Sequence, residues 1–252
     1  MATMYTLFLE KMKFLLLQLR KSVLFFENFL DGEYLDKKVK QPKLVNHDKW
    51  QAFLLANFNK QGYKILEIGS REVTGKSTFR SDFTKAEYFG FDFYEGKNVD
   101  VIGDAHQLSK YFPNQQFDLI FSSACFEHFA MPWLVAEEIS KLLRVGGHVF
   151  IETHFSFSYH EHPWNFFQFS DKGLSVLFNA HLGFETIETG MSNPIVGRFS
   201  KFSSKYLINT PVKSLYCHSE ILAEKVSEVG NFTWQNCDLN VLVGNTLYPK
   251  EQ

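Results

Sequence analysis

The sequence EIGSREVTGKST, residues 67–78, follows a short apolar run and decides which fold the chain adopts. It is similar to a phosphate-binding loop, G-x-x-x-x-G-K-[ST], and also to the glycine turn of a nucleoside-binding βαβ unit. A phosphate-binding loop needs a glycine five positions before Gly75, and Ser70 occupies that position. The nearest aspartate at the end of a predicted strand, Asp92, comes too soon to hold magnesium, and the predicted strands 117–123 and 148–154 end in Ser-Ser and Glu-Thr-His. The spacing therefore excludes the phosphate-binding loop and favours the nucleoside-binding turn.

Composition limits the classes of protein to which the chain can belong. The chain has 252 residues, 45% of them hydrophobic, so it can bury the core of an α/β domain. Its net charge of −2 provides no basic surface, and we expect no nucleic-acid partner. The three cysteines show no C-x-x-C spacing, which favours a reducing compartment and predicts a cytoplasmic protein.

The N-terminal segment 5–30 is rich in Leu and Phe but is interrupted by charged residues. Its longest apolar run, 14–17, is far shorter than the roughly 20 residues that span a bilayer, so we expect no membrane span. The apolar spacing is helical. We expect residues 1–45 to form a helical extension that packs on its own domain or on a second subunit in a homodimer. This interpretation is favoured over binding to a membrane surface. A lid over a ligand site is a third interpretation.

From Gly62 onward, apolar strand-like runs alternate with helical segments. Five strands are predicted, at 64–69, 87–93, 99–105, 117–123 and 148–154, with a helix through 134–143. The C-terminal part predicts a helix at 171–180, a strand at 183–189, an irregular stretch, a helix at 214–229 and a last strand at 237–243. The pattern predicts an α/β fold for residues 46–252: a doubly wound, Rossmann-like, mostly parallel seven-stranded sheet with an N-terminal helical extension.

Acidic residues end three successive predicted strands, where ligands bind in open α/β sheets. Glu67 and Gly69 close the first strand. Asp92 ends the second strand, where its carboxylate can accept both ribose hydroxyls. Asp104 ends the third strand, where its carboxylate can accept an adenine amine while the next backbone N–H meets a ring nitrogen. Together these residues predict a nucleoside-containing ligand.

The series LEIGS, GFD, VDVIGDAHQL, FDLIFSSACFEHF and LLRVGGHVFIET resembles the class I S-adenosylmethionine-dependent methyltransferases across about residues 62–185. The turn departs from the family's G-x-G-x-G, since Arg71 and Val73 replace the later glycines, and it resembles a bacterial variant. The resemblance implies S-adenosyl-L-methionine as cofactor and the following cofactor-binding residues: Glu67, Gly69, Ser70, Asp92 with its neighbour Phe93, Asp104, Ala105, His106, Ser123 and Cys125.

Histidines follow the fourth and fifth predicted strands on the ligand face. The stretch after strand five resembles the HPxDYWRFT segment of methyltransferases from glycan and natural-product pathways, with Asn165, Gln168 and Ser170 at three of its positions. A hydroxyl acceptor needs a base, and imidazole is suited to that role near neutral pH. The candidate bases rank in the order His154, His160, His128, and His162 is a fourth histidine on this face. Glu161 is a candidate to orient an imidazole.

The group His160-Glu161-His162 has residue types that suit a metal, but it lacks a further spaced ligand, and no metal is predicted. The sequence thus predicts a methyltransferase for a small-molecule acceptor, with O-methylation ahead of N-methylation. A different class stays open, in which the chain is a catalytically silent subunit that keeps the cofactor-binding fold and binds a partner through residues 5–30.

Overall fold

The computed structural model describes residues 2–27, 34–35, 39–73, 75–238 and 241–242. The chain divides into two compact units. The larger comprises Val39–Asn193 and Tyr216–Gln252, and the smaller comprises Met1–Lys38 and Pro194–Leu215. The domain boundary between residues 45 and 46 remains a prediction.

In the part of the chain that the structure describes, nine strands form two sheets. The strands are β1 (Lys64–Ile68), β2 (Glu87–Asp92), β3 (Val101–Ile102), β4 (Phe117–Ser123), β5 (Leu143–His154), β6 (Phe184–Pro194), β7 (Gly197–Arg198), β8 (Pro211–Val212) and β9 (Tyr216–Lys225). Seven of them form a sheet in the order β3-β2-β1-β4-β5-β9-β6. The pairs from β3 to β5 are parallel, and β9 runs antiparallel to β5. The predicted doubly wound, mostly parallel seven-stranded sheet is confirmed.

The central strands are buried on both faces, which is why they appear in the sequence as unbroken apolar runs. On one face, Ile65, Phe121 and Phe150 pack with helix α2 (Trp50–Phe58) and with α3 (Phe79–Asp82). On the other face, Ile120 and Val149 pack with α4 (Pro132–Leu142) and α5 (Asp171–Leu177). Because helices cover both faces of the sheet, we expect a ligand to bind at the edge where the carboxyl ends of β1, β2, β4 and β5 lie.

The C-terminal helix predicted at 214–229 is wrong, since this segment contains strand β9. Ser219, Ile221 and Leu222 are all at most 1% exposed, so polar and apolar residues are buried together on both faces of the strand. Such burial hides the alternation that marks a strand in a sequence. The strand predicted at 237–243 is also not observed where the chain is described, because residues 237–238 and 241–242 form no strand. Strand β6 forms the edge of the sheet beside β9 instead.

The smaller unit contains helix α1 (Ala2–Glu27) and a two-stranded antiparallel sheet of β7 and β8. Within it, Ser214 donates its backbone N–H to the carbonyl of Tyr34 at 2.9 Å. Helix α1 exposes a run of apolar side chains: Phe14, Leu15, Leu16, Leu17 and Leu19 are each more than half exposed. Among the described residues, no helix has both the length and the apolar character needed to cross a bilayer.

Candidate active site

The turn after β1 requires glycine at position 69. Gly69 has φ = +83°, a conformation that is unfavourable for side-chain-bearing residues. A Cβ atom there would lie 2.8 Å from Cys125 Sγ, so the turn also passes closely over the end of β4. The backbone N–H groups of Gly69 and Ser70 both donate to the carbonyl of Phe91, at 2.8 and 3.1 Å. Three of the predicted cofactor residues, Gly69, Ser70 and Cys125, are therefore brought together.

Asp92, at the end of β2, is held by the same turn. Its Oδ2 accepts the backbone N–H of Arg71 at 3.3 Å, and its Oδ1 accepts Arg71 Nε at 3.3 Å and the Tyr94 N–H at 2.9 Å. The guanidinium of Arg71 also lies 5.4 Å from the ring centroid of Tyr94. Phe93, next to Asp92, is half exposed and packs edge-on to Trp164, with ring centroids 5.2 Å apart. Arg71 thus fills the place of a family glycine and orients the Asp92 carboxylate.

Asp104 begins a short 3₁₀ helix (Ala105–Tyr111) and caps it. Its Oδ1 accepts the backbone N–H of His106 at 2.9 Å and lies 2.6 Å from His106 Nδ1. His106 Nε2 accepts the N–H of Met131 at 3.2 Å, so Nδ1 carries the proton that Asp104 accepts. Burial raises the pKa of Asp104, but the contacts with His106 outweigh it and lower that pKa. Ala105 is buried beneath this turn.

Glu67 and Ser123 make contacts that the sequence did not indicate. The Glu67 carboxylate accepts a hydrogen bond from the Tyr88 hydroxyl, and burial raises the pKa of Glu67 to about 7. Ser123 donates its hydroxyl to Glu152 Oε1 at 2.9 Å. Burial raises the pKa of the Cys125 thiol, which favours its uncharged form.

His154 ends β5 and is buried against Glu127. His154 Nδ1 lies 2.6 Å from Glu127 Oε1, and Thr153 donates its hydroxyl to Glu127 Oε2 at 2.6 Å. The contact is short, but it does not have hydrogen-bond geometry. Burial raises the pKa of Glu127, but the contacts from His154 and Thr153 outweigh it and hold this pKa below its ordinary value. Glu127 is therefore a buried carboxylate facing an imidazole.

The two other candidate bases lie beside this pair. His128 Nδ1 lies 2.7 Å from the carbonyl of Trp164, and His160 Nδ1 lies 2.8 Å from the carbonyl of Ser158. The His160 ring centroid is 4.9 Å from that of His128 and 5.6 Å from that of His154. The carboxylate that contacts His154 is Glu127, not Glu161. His162 packs against Tyr159 instead, with ring centroids 3.9 Å apart.

A second polar cluster, missed in the sequence, adjoins His154. Glu152 on β5 and Glu220 on β9 are register partners across the sheet, and both are at most 3% exposed. His47 Nδ1 lies 2.9 Å from Glu152 Oε2, and its ring stacks on His218 at 4.1 Å. Burial raises the pKa of Glu220 to about 8. Nothing in the sequence pairs these residues, because the segment containing Glu220 has the pattern of a helix.

Residues 75–151 match a family model described as a methyltransferase domain. The matched segment contains β2 to β4 and most of β5, so it includes Asp92 and Asp104 but neither the turn at Gly69 nor His154. The match indicates a methyltransferase domain in this part of the chain. The predicted enzyme class and the predicted cofactor, S-adenosyl-L-methionine, are confirmed. The glycan and natural-product subtype remains a prediction.

Solved structures with a similar fold come from several organisms. A SAM-dependent methyltransferase from Archaeoglobus fulgidus is 17% identical with a TM-score of 0.48, covering 69% of this chain and 92% of that one. The YcgJ protein of Bacillus subtilis is 14% identical with a TM-score of 0.48, covering 71% and 98%. The 1,6-didemethyltoxoflavin-N1-methyltransferase of Burkholderia thailandensis, solved with its namesake compound and S-adenosylhomocysteine, is 16% identical with a TM-score of 0.48, covering 70% and 76%. These likenesses carry no inference about the acceptor, and no curated protein matches the sequence.

Proposed function

We propose that the protein transfers the methyl group of S-adenosylmethionine to a hydroxyl group of a small molecule. The observation that carries this proposal is the contact between His154 and Glu127 at the carboxyl end of β5, with 2.6 Å between Nδ1 and Oε1. The carboxyl ends of parallel strands form the ligand face of this fold. A buried imidazole backed by an ionised carboxylate is an arrangement suited to a general base.

In the proposed reaction, His154 accepts the proton and Glu127 stabilises the resulting charge. The acceptor oxygen attacks the methyl carbon, the carbon–sulfur bond breaks with its electrons remaining on sulfur, and S-adenosylhomocysteine leaves as a neutral thioether. The hydroxyl proton passes to His154 Nε2, the nitrogen that faces away from Glu127. Glu127, whose pKa is held below its ordinary value although burial opposes this, then stabilises the imidazolium ion. His160 and His128 are the next candidates for the base.

We propose that each strand end contacts a different part of S-adenosylmethionine. Asp92 and Phe93 would hold the ribose, and Asp104, Ala105 and His106 would frame the adenine. The turn residues Glu67, Gly69 and Ser70 would approach the methionine portion, and Ser123 and Cys125 would line the floor. The 2.8 Å approach between a Cβ at Gly69 and Cys125 Sγ supports a narrow passage that needs glycine at this turn.

Exposed aromatic side chains support a flat or apolar small-molecule acceptor. Phe157 is 49% exposed and stacks on His154, with ring centroids 4.3 Å apart and an interplanar angle of 9°. Tyr94 stacks on Trp164 at 6.0 Å. A planar acceptor placed between such rings would present its hydroxyl close to the imidazole of His154.

Two alternatives follow from the same fold. An amine acceptor needs positioning more than proton removal, so N-methylation would proceed without a histidine base. A catalytically silent subunit would bind the cofactor without consuming it. Incubating the protein with S-adenosylmethionine and a cell extract as acceptor source distinguishes an active enzyme from a silent subunit. Formation of S-adenosylhomocysteine supports an active enzyme, and intact bound cofactor with no product supports the silent subunit.

We also propose that the protein forms a homodimer through α1. The apolar side chains of Phe14, Leu15, Leu16 and Leu17 follow one another and are each at least 54% exposed, so they surround the helix rather than forming one face. Exposed apolar surface of this kind marks an interaction site. A second copy of α1 supplies an equally apolar surface, as the isologous contacts of twofold dimers require.

A further inference from the structure

Glu127, His128 and His160 place three metal-binding groups around one point beside the proposed base. One ligand atom of each residue lies within 4.8 Å of the others. His128 Nε2 is 3.9 Å from Glu127 Oε1, and the His128 and His160 rings meet at 82°. Glu127 and His128 come from the 3₁₀ turn after β4, whereas His160 comes from the segment that follows β5. Two imidazoles and one carboxylate are a common ligand set for zinc and iron.

The ring nitrogens of both histidines are already assigned by their neighbours. His128 Nδ1 lies 2.7 Å from the carbonyl of Trp164, and His160 Nδ1 lies 2.8 Å from the carbonyl of Ser158. A carbonyl oxygen only accepts, so each Nδ1 carries the proton and each Nε2 has a free lone pair. Metal-binding histidines are held in this way, with the second ring nitrogen donating to a backbone carbonyl.

Glu127 Oε1, which lies 3.9 Å from His128 Nε2, borders the same space. Glu127 is fully buried, and its Oε1 has no hydrogen bond although it lies 2.6 Å from His154 Nδ1. A carboxylate oxygen has two lone pairs, so beside its contact with His154 this atom can still bind a cation. Its other oxygen, Oε2, is fixed by the hydroxyl of Thr153 at 2.6 Å, which sets the direction of Oε1.

We propose that Glu127 Oε1, His128 Nε2 and His160 Nε2 bind one divalent first-row transition-metal ion. Ligand atoms on a tetrahedral zinc ion lie about 3.4 Å apart, so the cluster must close slightly, and His160 can move with its partly exposed segment. Three protein ligands leave coordination positions open for water or an acceptor oxygen. Bound in this way, His128 and His160 have no free lone pair, and His154 is left as the base.

The test measures metal binding by the full chain without cofactor or acceptor, so its result is independent of the proposed reaction. The protein is stripped with a chelator and titrated with Zn²⁺ in a calorimeter. We expect one ion per chain, with affinity reduced at least about 100-fold in H160Q and in H128Q. The matched control is H162Q, a histidine in the same segment that packs on Tyr159, and its affinity should equal that of the parent.

X-ray absorption identifies the ligands directly. The proposal predicts nitrogen and oxygen neighbours at about 2.0–2.2 Å and no sulfur. A sulfur neighbour would place the ion at His154, Cys217 and His218 and overturn the proposal. Unchanged affinity in H160Q with loss in H47Q would place the ion at His47, Glu152 and His218, and would equally overturn it. Absence of zinc binding by the folded parent chain is the third contradicting result.

Discussion

Arg71 and Asp92 connect the turn after β1 to the end of β2: Arg71 donates its backbone N–H to Asp92 Oδ2 and its Nε to Oδ1, each at 3.3 Å. Tyr94 contributes a third hydrogen bond to Oδ1. The family's usual glycine is thus replaced by a side chain that orients the carboxylate. Because a carboxylate has about four acceptor positions, one remains free, and a ribose with two hydroxyls would compete with Arg71 Nε for the other.

We expect the D92N variant to bind S-adenosylmethionine about 2 kcal/mol more weakly, roughly a 30-fold increase in Kd, because it replaces a charged acceptor by a neutral one. Calorimetry on the folded variant measures this change. E95Q is the control, because Glu95 is exposed three residues further along the chain. Equal affinity of D92N and the parent would remove Asp92 from the cofactor site.

We expect Gly69→Ala to destabilise the fold by about 1–3 kcal/mol, because an alanine at φ = +83° is strained and its Cβ approaches Cys125 Sγ to 2.8 Å. Chemical denaturation measures the loss. Adding Cys125→Ala should recover only part of it, because the Cys125 Cβ, at 2.9 Å, and the backbone conformation remain. Full recovery in the double variant would show that the sulfur contact alone requires glycine here.

Glu220 should make stability fall as pH rises. Burial raises its pKa from 4.5 to about 8, so between these values the folded chain keeps a proton that the unfolded chain has lost. The unfolding free energy of the E220Q variant should therefore exceed that of the parent by a margin that grows from about pH 5 to about pH 8. E185Q is the control, an exposed glutamate on the neighbouring strand β6. A difference that does not change with pH would contradict the raised pKa.

The homodimer proposal predicts that replacing Leu15, Leu16 and Leu19 by glutamine halves the native mass, because each is more than half exposed on α1. Light scattering on the eluting protein measures the mass. K13Q, on the same helix, is the control. A monomeric parent chain would contradict the proposal, and binding of the parent to vesicles, lost in the triple variant, would favour a membrane-surface role.

The parallel part of the sheet was predictable because its strands are short apolar runs buried on both faces. Strand β9 was not, since Ser219, Glu220 and Lys225 are buried polar residues that each have partners far away in the sequence. Lys225, for example, donates to the carbonyls of Ser140 and Leu143 at 2.8 Å. The same limit applies to the candidate site. His154 was found from its place at a strand end, but its contact with Glu127 depends on how the turn after β4 meets the end of β5.

The most direct test of the account is methyl transfer from S-adenosylmethionine carrying a deuterated methyl group, with a cell extract as acceptor source and mass spectrometry of the products. We expect a deuterium-labelled methyl ether of a small molecule. With that acceptor purified, H154Q should react at least about 100-fold more slowly with cofactor affinity nearly unchanged, and H162Q should match the parent. A labelled N-methyl product formed equally fast by H154Q would contradict the proposed hydroxyl acceptor and its histidine base.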